Sequence, residues 1–289
     1  MSRQRRTAAQ RGFTLVEAIM VIVIIGVLGA IVAVFIRAPI QGYVDTVARA
    51  EATDEADVAL RRMARDIRLA LPNSVRVNGD GSAIEFLLTT TGGRYLSAED
   101  ETQGDFLSFD DPADTSFTAL GILAEAIVPG NAIVVFNMGV PGSDVYEAGT
   151  TNMAVVAAGA AADAVNPVIR LASNPFARTE PMPSPGQRFQ VVSGPVQYRC
   201  QAENGGFVLR RLSNYPIAAA IPANPAGPQL RSAVIASRVA GCEGIFRSEN
   251  VQARSAGLVL MSLALRLRGM GNDAAAVRLV HQVHVDNTP

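Results

Sequence analysis

Gly12-Phe13-Thr14-Leu15-Val16-Glu17 begins an apolar run that continues to Ile36, and the rest of the chain is organised around it. From Phe13 to Ile36 there are 24 residues, and Glu17 is the single charged residue among them. As an α-helix this run would extend about 36 Å, enough to cross a bilayer core of about 30 Å. The sequence therefore predicts a transmembrane helix over residues 13–36.

The twelve residues before Phe13 are mostly polar, and all their charges are positive. Arg3, Arg5, Arg6 and Arg11 lie in this segment without any acidic residue. The positive-inside rule therefore keeps the N-terminus in the cytoplasm and delivers the following domain across the membrane. Residues 1–12 show no hydrophobic periodicity, so we interpret them as a short basic leader outside any fold. The apolar run itself is longer than the apolar region of a secretory signal peptide, which has about 7 to 15 residues.

Beyond the run, apolar residues recur at three- and four-residue steps, which predicts an amphipathic continuation of the helix over residues 37–72. The positions on this apolar face are Val44, Val47, Leu60, Met63, Ala64, Ile67 and Leu71. Pro72 ends the pattern, because the residue before a proline is pushed out of helical geometry. We expect any kink near Pro39 and Gly42.

Residues 73–289 are predicted to form a β-rich head domain that covers the apolar face of the helix. Asn78-Gly79-Asp80-Gly81 is a strong hairpin signal between residues 74–77 and 83–88. Other predicted strands cover residues 106–109, 133–137, 168–171, 189–192, 196–200, 207–211, 257–268 and 277–285, the last two joined by residues 269–272. Long connections are expected at residues 90–105, 140–166, 174–187 and 215–228. The predicted fold class is α+β, a long N-terminal helix packed on an antiparallel sheet with long loops.

The chain contains two cysteines, Cys200 and Cys242, and both follow the apolar run. In an exported domain such a pair most simply forms a disulfide. Closing this loop would stabilise the fold by about 4 kcal/mol on the chain-entropy model. The alternative is a pair of buried free thiols.

Few residues suggest catalysis or cofactor binding. His281 and His284 are the only histidines, and three apart on a strand they point to opposite faces, so they cannot jointly hold a metal. No glycine-rich phosphate loop, nucleophile elbow or zinc-protease helix is present. The net charge of −1 without a clustered basic face argues against nucleic-acid binding. We therefore expect a non-enzymatic protein without a metal or cofactor.

Glu17 needs an explanation, because a carboxylate inside an apolar span costs up to about 3 kcal/mol unless it is paired or near the interface. One hypothesis is a capping box, in which Thr14 and Glu17 satisfy open amides at the helix start. The other is a pairing between subunits. If the chain is cut after Gly12, Phe13 gains a free amine, and that amine of one subunit could neutralise Glu17 of another.

The segment from Gly12 to Glu17, after its basic leader, resembles the class III signal of type IV pilins and pseudopilins. The resemblance implies that a prepilin peptidase cleaves between Gly12 and Phe13 and methylates Phe13, and that Glu17 acts in subunit assembly. It implies a bacterial inner-membrane protein with a periplasmic head that later joins a pilus at the cell surface. The implied partners are other minor and major pilins, the peptidase and an inner-membrane assembly platform. The family proline usually lies inside the apolar run, whereas here Pro39 lies beyond it.

Three further stretches resemble the minor pilins of the mannose-sensitive haemagglutinin (MSHA) pilus, which are similar to the J-type minor pseudopilins of type II secretion. They are Leu71-Pro72-Asn73-Ser74-Val75-Arg76-Val77, Leu212-Ser213-Asn214-Tyr215-Pro216 and His281-Gln282-Val283-His284-Val285-Asp286-Asn287. This resemblance implies a minor subunit that primes assembly near the pilus tip. The alternatives are a J-type pseudopilin, a tip adhesin that uses the long loops, and an uncleaved membrane anchor.

Overall fold

The computed structural model describes residues 12–100, 103–149, 152–249, 256–268 and 275–289. Most of the predicted leader and the predicted connection at residues 269–272 therefore lie outside the described residues. The chain divides into two compact units, with the boundary between Glu51 and Ala52. The second unit, from Ala52 to Pro289, contains the last turns of the N-terminal helix as well as the β-rich domain.

One helix, α1 (Leu15–Arg68), contains both the apolar run and its amphipathic continuation, and it is continuous through Pro39. It ends at Arg68, three residues before the predicted end at Leu71. The backbone beyond it joins the sheet instead, because the N–H of Leu71 donates to the carbonyl of Leu87 at 2.8 Å and the N–H of Thr89 donates to the carbonyl of Leu69 at 2.8 Å. Because these backbone groups form hydrogen bonds with the sheet, the helix ends at Arg68.

The part of α1 that belongs to the second unit buries one face. Of the positions predicted for the apolar face, Leu60, Met63, Ala64 and Ile67 are all at most 3% exposed. The prediction was wrong for Val44 and Val47, which precede this unit and are exposed. Three alanines that the apolar pattern did not single out share this buried face: Ala52, Ala56 and Ala59. Small side chains allow the helix backbone to approach the sheet closely. The hydrophobic contribution of this face to stability therefore comes mainly from the larger buried residues in the C-terminal turns of α1.

Within the described residues, twelve strands form a single antiparallel sheet, which confirms the predicted α+β class. The strands are β1 (Arg76–Val77), β2 (Ala83–Tyr95), β3 (Ser116–Leu120), β4 (Ala132–Val135), β5 (Met153–Ala158), β6 (Val168–Leu171), β7 (Arg188–Glu203), β8 (Gly206–Ser213), β9 (Arg231–Val239), β10 (Phe246–Glu249), β11 (Ala256–Arg266) and β12 (Ala276–Asp286). Their order in the sheet is β1-β2-β3-β6-β5-β4-β7-β8-β9-β11-β10, with β12 on β11 and an additional pairing of β2 with β7.

Several local predictions were wrong. Residues 106–109 are not a strand, and β3, β9 and β10 were not predicted. The long connection expected at residues 90–105 begins as strand, because β2 continues to Tyr95 along β7. The alanine-rich stretch at residues 140–166 likewise contains β5. The hairpin at Asn78–Gly81 and the final long pair of strands, β11 and β12, are confirmed.

Candidate functional site

The segment that carries the predicted processing site lies at the start of α1 and is open to its surroundings. Gly12, Phe13 and Thr14 precede the helix and are exposed. The side chain of Phe13 is 72% exposed, and a side-chain atom added at Gly12 would meet nothing within 4 Å. The peptide bond between Gly12 and Phe13 is therefore accessible outside regular secondary structure.

Thr14 caps the helix. Its hydroxyl oxygen accepts a hydrogen bond from the backbone N–H of Glu17 at 3.3 Å, and its carbonyl accepts one from the N–H of Ala18 at 3.1 Å. The first contact is one half of the capping box that the spacing of Thr14 and Glu17 predicts. It uses the backbone of Glu17, whose side chain is exposed. The Glu17 carboxylate therefore takes no part in the cap formed by Thr14.

The apolar part of α1 presents large hydrophobic side chains on every side. Its most apolar 18-residue window has a mean hydropathy of 3.3 with none of the window buried. Among the described residues, α1 is the one helix long and apolar enough to cross a membrane. Each Å² of apolar surface left in water costs about 25 cal/mol, so this segment requires lipid or other apolar helices around it.

Two acidic residues of α1 attach its last turns to the sheet within the second unit. A carboxylate oxygen of Asp66 accepts hydrogen bonds from the hydroxyl of Tyr198 at 2.8 Å and from Nε of Arg211 at 2.7 Å. Burial, and then the neighbouring Asp66 carboxylate, raises the pKa of Tyr198 well above its usual range. The hydroxyl therefore stays protonated and remains a donor.

Glu55 makes the second attachment. It accepts hydrogen bonds from the backbone N–H and hydroxyl of Ser237 at 2.7 and 2.8 Å, and from Arg238 at 2.6 Å. Burial alone would raise the pKa of Glu55, but the hydrogen bonds from Ser237 and Arg238 and the charge of Arg238 outweigh it and lower the pKa below its usual value. Glu55 and Asp66 thus both join the helix to the sheet by hydrogen bonds and ion pairs.

A buried ionic cluster lies on the hairpin of β1 and β2, where Arg76 and Glu85 are paired across the two strands, and sequence reasoning missed it. Glu85 is 1% exposed and pairs with Arg76 through two guanidinium nitrogens, while its second oxygen accepts a hydrogen bond from the hydroxyl of Tyr215 at 2.8 Å. The guanidinium also lies 3.5 Å from the ring centre of Tyr146. A charged residue within the apolar strand Ala83-Ile84-Glu85-Phe86-Leu87 was the available signal, because such a residue is seldom buried without a partner.

This cluster holds one of the predicted long connections, residues 215–228, which the tip-adhesin alternative would use for binding. Arg76 donates to the carbonyls of Ala218 and Ala219 at 2.7 Å each. Gln197 and Arg199 both donate to the carbonyl of Pro222 at 3.0 Å. The loop at residues 215–228 is therefore held against the sheet by side chains directed at its backbone.

The three stretches that resemble minor pilins come together in this region. The side chain of Asn73 donates to the carbonyls of Asn137 at 2.8 Å and Asn287 at 3.2 Å, and its N–H donates to the Asn287 side chain at 3.2 Å. Tyr215 donates a hydrogen bond to Glu85, and Arg76, which pairs with Glu85, lies three residues after Asn73 along the chain. The exit of the helix, the loop after β8 and the C-terminus thus share one network.

Cys200 and Cys242 are joined by a disulfide, with their Cα atoms 5.3 Å apart. This bond links β7 to the turn before β10. On β12, His284 is exposed and His281 is partly buried, as expected for alternating positions. Among the described residues no group of three or more His, Cys, Asp or Glu side chains is placed to hold a metal ion.

Comparison with known proteins gives one match. A family model described as the prokaryotic N-terminal methylation motif matches residues 7–33. No curated protein and no solved structure matches the chain. Together, the motif and α1 support a type IV pilin-like prepilin that is anchored in the membrane through one segment.

Proposed function

We propose that this chain is a minor pilin of the MSHA type, similar to the minor pilin MshO, that is processed by a prepilin peptidase and primes pilus assembly near the tip. The match of the methylation motif to residues 7–33 is the observation that carries the proposal. The exposed, non-helical Gly12–Phe13 bond supports the processing step. The three convergent stretches support the assignment to this group of minor pilins.

In the proposed mechanism, residues 13–36 hold the subunit in the inner membrane with the N-terminus in the cytoplasm and the head in the periplasm. Cleavage after Gly12 creates a cationic amine on Phe13, which the peptidase then methylates. Because Thr14 caps the helix through the backbone of Glu17, the Glu17 carboxylate stays available for the Phe13 amine of a neighbouring pilin. A charge pair in the apolar interior sets the axial register between packed helices, since any other register leaves a carboxylate unpaired.

The first experiment is mass spectrometry of the protein extracted from membranes of cells with an active prepilin peptidase. We expect an N-terminal Phe13 that carries a methyl group. Cells without the peptidase, which should retain Met1, are the matched control. An intact Met1 in both strains would identify an uncleaved anchor and reject the processing step.

The second experiment separates the two roles of the N-terminal segment. Glu17→Val should leave membrane insertion and cleavage intact but prevent incorporation into filaments. Thr14→Val removes the capping hydroxyl and keeps the Glu17 carboxylate, so this variant should be incorporated into filaments much better than Glu17→Val. Equal incorporation of Glu17→Val and the unmodified chain, measured in purified filaments, would reject the pairing mechanism.

Two other functions use the same N-terminal chemistry. A J-type pseudopilin would co-purify with subunits of a secretion pseudopilus, whereas the proposed minor pilin co-purifies with other minor pilins. A tip adhesin would bind surfaces without such a complex, through the long loops. The anchoring of residues 215–228 by Arg76, Gln197 and Arg199 favours a structural role for that loop.

A further inference from the structure

The last strand, β12, forms one edge of the sheet. It pairs with β11 over eleven consecutive residues without a register shift, and among the described residues β11 is its only strand partner. It contains no proline, no lysine and no bulge in its pairing with β11, three features that commonly protect an edge strand, but it does carry two charged residues, Arg278 and Asp286. The edge at β10 differs, because the N–H of Phe246 donates to the carbonyl of Gly81 at 2.9 Å. β12 is therefore a long, regular edge whose charges are of opposite sign, so they would repel a second strand only in registers that bring like charges together.

The hydrogen bonds of the neighbouring strand show which residues of β12 direct their backbone outward. The N–H of Leu267 donates to the carbonyl of Ala275 at 3.2 Å, on the β12 side, while the N–H of Ser262 donates to the carbonyl of Ile245 at 2.8 Å, on the opposite side. Backbone direction alternates along a strand. Through the register of the pair, the odd-numbered residues of β12 face β11. Its even-numbered residues, 276 to 286, therefore direct their N–H and C=O groups away from the sheet.

The same even-numbered residues carry the exposed side chains of β12. They are Ala276, Arg278, Val280, Gln282, His284 and Asp286. Val280 is 58% exposed. Arg278 and Asp286 are opposite charges at equal distances from Gln282 along the strand. An antiparallel copy of this strand would therefore be complementary to it in charge.

We propose that β12 pairs with β12 of a second copy of this chain, as antiparallel strands related by a two-fold axis at Gln282. In this register Arg278 faces the partner subunit's Asp286 at both ends of the contact. Five facing residue pairs would exchange about ten backbone hydrogen bonds.

Other registers lose the charge match. With the axis at His281, Arg278 would face the partner's His284. With the axis at Val283, Asp286 would face the partner's Val280. Cross-strand pairs of opposite charge stabilise antiparallel strands, and like charges destabilise them, so the charges select the register centred on Gln282.

Cysteine cross-linking tests the register. The two native cysteines are joined to each other, so Gln282→Cys gives the full-length protein in detergent a single free thiol at the proposed axis. A short bis-maleimide reagent should convert this variant to a covalent dimer. His284→Cys, at another exposed position of the same strand, is the matched control and should cross-link much less, because the two copies of residue 284 would lie on opposite sides of the axis. Failure of Gln282→Cys to cross-link, or stronger cross-linking of His284→Cys, would overturn the proposal.

Exchange of the two charges tests the interaction itself. Arg278→Asp alone and Asp286→Arg alone each bring like charges together at both ends of the contact, so each should weaken dimerisation by roughly ten- to a hundredfold. The double exchange restores opposite charges and should restore the dimer. The dissociation constant is measured by light scattering of the full-length protein in detergent. A monomeric unmodified protein, or a double exchange no better than the single variants, would reject the proposal, and neither result depends on pilus assembly.

Discussion

Replacing Glu85 by alanine should destabilise the β-rich unit more than any exposed charge change. The carboxylate is 1% exposed and balances Arg76, whose side chain is 18% exposed. Its removal leaves a largely buried guanidinium without a counter-charge and the Tyr215 hydroxyl without its acceptor. Breaking a buried ion pair by deleting one partner costs about 3–5 kcal/mol. Since total stabilities are about 5–15 kcal/mol, the loss would be a large part of the whole.

Thermal denaturation of the full-length protein in detergent, followed by circular dichroism, measures this loss. For a unit of this size, about 3–5 kcal/mol corresponds to a melting temperature lowered by roughly 6–20 °C. The matched control is Asp57→Asn, which breaks the exposed pair of Asp57 with Arg61, whose side chains are 46% and 72% exposed. Such surface pairs contribute about 0–1 kcal/mol, so this variant should melt close to the unmodified protein.

A double variant distinguishes charge from packing. Arg76→Met with Glu85→Leu removes both charges and keeps apolar volume, and such replacements of buried pairs are often neutral. It should be more stable than Glu85→Ala alone, although the contacts of Arg76 with Ala218 and Ala219 are lost. A double variant as unstable as Glu85→Ala would contradict the role of the buried charge pair, and so would a melting temperature of Glu85→Ala equal to that of Asp57→Asn.

Three further predictions concern the same unit. Ile67→Ala, at a fully buried position of α1, should lower the free energy of unfolding by about 2–5 kcal/mol. Val58→Ala, at a 66% exposed position, should change it by less than about 0.5 kcal/mol. Denaturant titration compares the two variants, and equal losses would contradict the assigned helix face. Replacing both Cys200 and Cys242 by serine should cost about 4 kcal/mol, matching the loss on reduction of the unmodified protein, and an unchanged denaturation midpoint would refute it. The pKa of Glu55 is lowered in the fold. The charge of Glu55 therefore stabilises the fold fully above the pKa of Glu55 in the unfolded chain, and this stabilisation is lost as the pH falls through its pKa in the folded protein. Glu55→Gln should thus be less stable than the unmodified protein at pH 7, and the difference should shrink below about pH 4. A constant difference across this range would show that the charge of Glu55 is not responsible.

Parts of the fold were predictable because they depend on local sequence. The cap at Thr14 follows from the spacing of Thr14 and Glu17, and its backbone contact is present. The buried positions Leu60, Met63, Ala64 and Ile67 follow from helical periodicity. The hairpin at residues 78–81 follows from its turn residues, since glycine at 81 adopts a φ of +69°.

Other features depend on distant residues and could not be read locally. The connection predicted at residues 90–105 includes Gly92 and Gly93, yet β2 continues through both glycines along β7. The two strands lie so close there that a side chain at Gly92 would meet the carbonyl oxygen of Phe189 at 2.8 Å. Phe106–Phe109 has strand-like composition, but no neighbouring strand pairs with it among the described residues. A strand exists only where a partner accepts its hydrogen bonds, and the partner is often far along the chain.

By itself, the sequence determined the apolar helix, its cap, the processing motif and the α+β class, because each depends on residues within a few turns or on overall composition. Only the tertiary structure decided that α1 ends at Arg68, that Glu85 is buried against Arg76 and Tyr215, and that the loop at residues 215–228 is held to the sheet. These features join residues up to 143 positions apart. Burial makes their hydrogen bonds and charge pairs obligatory, and burial is a property of the packed fold.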